Sequence, residues 1–177
     1  MEAQLPEGVT LDSATTEQIE AALANVVSSG DEASINAAVA RATAPGRANS
    51  ISAAQAANVV VTTTVSRSSN AISTAAANST TSPEAELAGR VIARIISNSN
   101  LTANQAARLV AGVSNITVQS VNNAQEVTSA LNSIVAETVA AAAASGIDLD
   151  VAETISGAVA NTTCTTVSNA GVTCTTS

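Results

Sequence analysis

Thr15-Thr16-Glu17-Gln18-Ile19-Glu20-Ala21-Ala22-Leu23-Ala24-Asn25-Val26-Val27 sets how the rest of the chain is read. A threonine three residues before a glutamine is a capping box. The hydroxyl accepts a backbone N–H of the first turn, and the glutamine side chain reaches back to the N–H of the cap. Behind it, Ile19, Ala22, Leu23, Val26 and Val27 recur at i, i+3, i+4, i+7 and i+8, one face of a helix. The same punctuation returns at Ser52-Ala-Ala-Gln55, Thr102-Ala-Asn-Gln105 and Asp150-Val-Ala-Glu153. The starts lie 37, 50 and 48 residues apart, an irregular period in or near the range of helical-hairpin repeats.

Outward from these starts the chain reads as about seven helices. Asp31 caps a second one carrying Ile35, Ala38, Val39 and Ala42, stopped by Pro45-Gly46. The third runs from Ser52 through Val59 and Val60 towards Ile72 and Ala75. Its Val59–Val65 run is β-branched and suits a strand by propensity, but the cap and the Ala-rich flanks select helix. Ser82-Pro83-Glu84-Ala85-Glu86 is a start with a serine cap, proline at the first helical position and acids facing the dipole. Leu87, Val91, Ile92 and Ile95 form its apolar face, and Glu86 and Arg90 are spaced for a local ion pair. A fifth helix holds Ala106, Leu109, Val110 and Val113; a sixth holds Val127, Leu131, Ile134, Val135 and Thr138 and ends near Ser145-Gly146. A seventh begins at Asp150 and holds Ile155, Ala158 and Val159.

The expected fold is all-α: helical hairpins stacked as a small bundle or a short α-solenoid. After an N-terminal extension over 1–10, the helical-hairpin domain covers 11–162, in units near 11–46, 50–98, 100–146 and 148–162. A Thr/Cys-rich hairpin follows over 163–177.

That last segment holds both cysteines, Cys164 and Cys174. Thr/Val runs around Ser168-Asn-Ala-Gly171 predict a short β-hairpin, because Asn and Gly tolerate positive φ in its turn. Opposed cysteines there would form a disulfide, closing a loop worth roughly 2–3 kcal/mol and pointing to an oxidising, extracellular setting. With no histidine and no acid nearby, the two sulfurs do not complete a zinc shell.

Composition narrows the function. The 177 residues include 39 alanines, 39 Leu, Ile and Val together, and 44 Ser and Thr. Leu, Ile and Val at about 22% lie just above the region where biased chains stay disordered, so a folded but thin core is expected. Phe, Tyr, Trp, His and Lys are absent, and the net charge is −8. Without histidine or lysine there is no Ser-His-Asp or Cys-His relay, Schiff-base lysine or phosphate-loop lysine. Without aromatics there is no base-stacking platform, and the acidity argues against a nucleic-acid partner and repels an anionic membrane surface. The longest smooth apolar run, Val139 to Ala144, is too short to span a bilayer, so no membrane insertion is expected. The start, Met1 to Glu7, is acidic and lacks an apolar core, so it does not read as a signal peptide; a mature chain or a fragment would look the same.

Candidate sites are few. Asp148, Asp150 and Glu153 open like a calcium loop but lack its third ligand, its glycine and its closing glutamate, and no metal or cofactor is expected. Glu17 with Glu20, or Glu84 with Glu86, are the carboxylate pairs available for acid/base work. Both sit in first turns, where acids belong for dipole reasons. Asn78, Asn100, Asn115 and Asn161 head Asn-X-Ser/Thr sequons near expected helix ends or loops, where a glycan is tolerated. Their number is what 15 asparagines in so Ser/Thr-rich a chain produce by chance. Thr63 with Thr74 and Thr117 with Thr128 recur at 11 residues, as on some helical ice-binding surfaces; two pairs do not make a ladder.

In composition, the Ala140–Ala144 run and the Ser/Thr-rich loops are similar to silk-like and other extracellular structural proteins. The capped pattern from Leu101 to Val110, followed by Val113 to Thr117, resembles the helical subdomain of autoproteolysis-inducing and receptor-for-egg-jelly modules. No residue acquires a role from either likeness. The expected function is a non-enzymatic extracellular or cell-surface structural module. Its partner would be itself, as homo-oligomer or filament, or another extracellular protein. The alternatives are a helical module holding an apolar ligand or a partner's helix in Ala-lined space, and a fragment of a larger surface protein.

Overall fold

The computed structural model describes residues 1–78, 80, 82–120, 162–167 and 171–176. Among the described residues are five α-helices: α1 (Thr16–Val27), α2 (Glu32–Ala42), α3 (Ala53–Ala77), α4 (Pro83–Asn98) and α5 (Ala103–Ser120). A single 3-10 turn, Glu2–Gln4, precedes them. The helical character of the chain is therefore as its periodicity requires. The helices expected over 127–138 and from Asp150 lie outside the described residues.

The caps take the geometry their spacing requires. Thr15 N–H donates to Gln18 Oε1 at 2.9 Å, and Gln18 N–H returns to Thr15 Oγ1 at 3.3 Å. Ser52 and Gln55 exchange the same pair of bonds at 2.9 and 3.1 Å, as do Thr102 and Gln105 at 2.9 and 3.3 Å. Asp31 accepts the Ser34 N–H at 2.9 Å. Ser82, buried at 2% exposure, accepts from Ala85 N–H at 3.1 Å ahead of Pro83. Each cap satisfies N–H groups that have no partner inside the helix.

The helices pack as two pairs and a fifth. α1 lies against α2 and α3 against α4; α1 also packs on α3, α3 on α5, and α2 on α4. Thus α1, α3 and α5 form one layer, α2 and α4 the other, and α3 is common to three of these contacts. The β-branched Val59–Val65 run is helical. Val60, Val61 and Val65 are buried, so tertiary burial overrides strand propensity here. The largest fully buried side chains are Ile19, Leu23, Ile35, Ile72, Ile92 and Ile96. Between them Ala38, Ala42, Ala56, Ala57, Ala85, Ala88 and Ala106 are also buried, and their small size lets the backbones approach.

α3 breaks its regular geometry at Ser68 (φ −110°, ψ 17°). Ser68 is followed by Ser69, and serine is a residue type at which helices often kink. The break lies between Thr63 and Thr74, so the 11-residue spacing of those threonines is not carried on one straight helix.

Residues 1–10, set apart in the sequence as an extension, lie against the free side of the α1–α2 pair. Met1, Leu5 and Val9 pack half-buried on the core, Leu11 is buried, and Glu2 faces Arg41 at 3.8 Å. Arg90, spaced for a local pair with Glu86, instead reaches across to α2, where its Nε donates to Glu32 Oε2 at 3.0 Å.

Near the C-terminus, β1 (Thr162–Val167) and β2 (Gly171–Thr176) pair antiparallel. In this register Cys164 stands opposite Cys174. No helix among the described residues is long and apolar enough to cross a membrane.

Candidate functional site

A groove of about 820 Å³ lies where the C-terminal ends of α2 and α4 meet the loop into α3 and the turn into α5. Its floor is apolar: Val39, Ile51 and Ile95 are nearly inaccessible. Its walls combine the small side chains of Ala33 and Ala40 with polar groups from Asn36, Arg94, Asn98 and Asn100.

Local rules place these groups. Asn36 lies on α2 one turn before Ala40, and Arg94 and Asn98 lie one turn apart on α4. The loop into α3 is held on both sides: Ile51 N–H donates to the Ala42 carbonyl at 3.0 Å, and Asn49 Nδ2 to the Ala14 carbonyl at 2.9 Å. Gly46 turns within this loop at φ 90°. Asn100 makes the turn out of α4 with φ 47°, a left-handed conformation that asparagine tolerates better than other side chains with a β-carbon.

Arg94 is the single charged residue of this lining. Its neighbour Arg90 is paired with Glu32, whereas Arg94 has no ion pair or hydrogen bond among the described residues. The amides of Asn36, Asn98 and Asn100 likewise have no protein partner there. Each primary amide offers two donors and an acceptor, and the guanidinium offers five donors. The groove therefore presents uncommitted hydrogen-bonding groups above an apolar floor. Its mixed lining differs from the purely Ala-lined space that composition suggested for an apolar guest. Sequence reading passed over Asn36 and Asn98, and placed Arg94 only towards the C-terminal end of its helix. The available signal was Arg94 itself, which has no acid three or four residues away on its helix.

A smaller cavity of about 370 Å³ lies where the first residues meet α1 and α2, lined by Met1, Gln4, Asn25, Ser29, Ser34 and Arg41, among others.

The sequence-expected sites fall as follows. Asn78 is exposed at the end of α3, its Nδ2 donating to the Thr74 carbonyl at 2.9 Å. Asn100 is exposed on the groove rim. Asn115 falls inside α5 rather than at a helix end, because that helix runs on to Ser120. Asn161 and the Asp148, Asp150, Glu153 group lie outside the described residues. No group of three or more metal-ligating side chains occurs among the described residues.

Of the carboxylate pairs, Glu17 is exposed while Glu20 accepts from Gln55 Nε2 at 3.2 Å. Hydrogen bonds from its own backbone N–H and from the Thr15 side chain hold Glu17 below the usual carboxylate pKa. Asp31 is lowered in the same way by the Ser34 side chain and backbone. Glu84 buries Oε2 without a hydrogen-bond partner. Neither pair lines either recess.

No protein-family model matches the chain, and no curated protein or solved structure is similar to it.

Proposed function

We propose that this chain is a non-enzymatic structural or interaction module of an extracellular or cell-surface protein, a short solenoid of helical hairpins that associates with copies of itself. The observation that carries this reading is the packing pattern. Each helix of one layer rests on the next, as in modules that extend by stacking rather than by closing around a site. The exposed positions of α3 support it: Thr62, Ser66, Ser69 and Asn70 are small or uncharged, with Arg67 the one charge on that helix. Such a surface meets another copy with little electrostatic penalty.

Two features favour the oxidising setting. Cys164 and Cys174 stand opposite each other in the ladder, the register in which a disulfide would close the hairpin. Asn78 and Asn100, each heading a sequon, are exposed at helix ends, where a glycan is accommodated.

Light scattering coupled to size exclusion over a wide concentration range tests the association. Refractive index serves as the detector, because the chain has no aromatic absorbance. A mass rising with concentration above 17.3 kDa is expected; a mass fixed at 17.3 kDa overturns self-association.

A further inference from the structure

We infer that Asn100 is a modification site whose N-linked glycan seats its first sugars in the α2–α4 groove. The inference rests on the extracellular reading above and adds to it which asparagine is modified and where its glycan lies. Three independent observations converge. Asn100-Leu101-Thr102 is a sequon, Asn100 is exposed at a left-handed turn, and the same residue forms part of the groove lining. A sugar attached there starts at the rim of a recess of about 820 Å³, within the size range of small-molecule sites.

The lining suits a sugar. Asn36, Asn98 and Arg94 hold donors and acceptors with no protein partner among the described residues, matching hydroxyl and acetamido groups. Ala40 and Leu101 offer small apolar surface to the C–H face of a ring. An uncharged guest also leaves Arg94 solvated at the edge, so no counter-charge is required. Thr102 is engaged in capping α5, which places attachment before the fold closes, on the extended chain.

In the transfer, the Asn100 amide nitrogen attacks C1 of a sugar linked to a polyprenyl diphosphate. The C1–Nδ2 bond forms and the C1–O bond to diphosphate breaks. The polyprenyl diphosphate leaves with the electron pair, and the amide gives up one proton to the transferase's base.

The test expresses the full chain behind a secretory leader in a eukaryotic host restricted to high-mannose glycans. Glycopeptide mass spectrometry reads occupancy at each sequon. Endoglycosidase H then measures the rate of glycan release from native and from denatured protein. The expected result is an occupied Asn100 whose native release is about tenfold slower than its denatured release, the scale of two net hydrogen bonds. Release from Asn78 should differ far less between the two states. In an Asn36→Ala/Asn98→Ala double variant, far-UV dichroism checks folding, Asn100 stays occupied and the native protection disappears. An Asn100 glycan released equally fast in both states overturns the groove seat. An unmodified Asn100 beside a modified Asn78 overturns the site while leaving the glycoprotein reading standing. No glycan anywhere overturns both.

Discussion

Gln55 and Glu20 join two helices through one side chain: Gln55 Oε1 accepts the Ser52 N–H that starts α3, while its Nε2 donates to Glu20 Oε1 on α1. The cap of one helix is thereby a tie to another. Gln55→Glu keeps the cap acceptor but loses the donor and sets a carboxylate against Glu20. Loss of about 1 kcal/mol is expected near neutral pH, read as a lower thermal midpoint by far-UV dichroism. Adding Glu20→Gln should recover most of the loss by restoring a donor between the two positions; no recovery would place the effect elsewhere.

Ser82 caps α4 while buried, so its removal leaves the Ala85 N–H without a partner away from water. Ser82→Ala should cost about 1–2 kcal/mol, and Thr102→Ala, at an exposed cap, less. Chemical denaturation of the two variants checks the order.

Ile92 is completely buried, whereas Leu87 on the same helix is only half-buried. Ile92→Ala should lose about 2–5 kcal/mol and Leu87→Ala clearly less. Equal losses would contradict the packing of α4.

Asp31 and Glu17 are held below their ordinary values of 3.8 and 4.5 by hydrogen bonds that favour the charged form. A carboxylate lowered by folding stabilises the fold above its unfolded pKa, and that stability is lost as pH falls through the folded pKa. Thermal midpoints should therefore decline on acidification below about pH 4.5, with a shallower decline in Asp31→Asn. Both groups are fully exposed, so the change should weaken as salt is added.

The Cys164–Cys174 register makes a direct expectation for intact mass spectrometry. Unreduced protein should be two hydrogens lighter than reduced protein and should resist alkylation. Two thiols that alkylate without reductant would remove the disulfide.

What was legible in the sequence follows from how far each interaction reaches. Capping boxes act over three residues, so Thr15, Ser52 and Thr102 announce helix starts by spacing alone, and each exchanges its pair of hydrogen bonds. The apolar stripe of α2 is buried at Ile35, Ala38, Val39 and Ala42, because periodicity reports which face turns inward. Spacing carries nothing about partners 58 residues away, and Arg90 accordingly finds Glu32 on another helix. The groove was hidden for the same reason. Asn36 and Asn98 belong to different hairpins and meet only once α2 lies on α4. The break at Ser68 left a faint mark in the Ser68-Ser69 pair; the cap and the Ala-rich flanks indicate helix but leave open whether 52–77 is one helix or two.

The first ten residues give the helical stack a head. With Met1, Leu5 and Val9 laid on the free side of the α1–α2 pair, a second molecule approaching there meets a surface already occupied. Joining through it would first require peeling that segment away and exposing the apolar side chains beneath. Self-association of the kind proposed above would therefore be directional, with contacts between copies lying away from this segment.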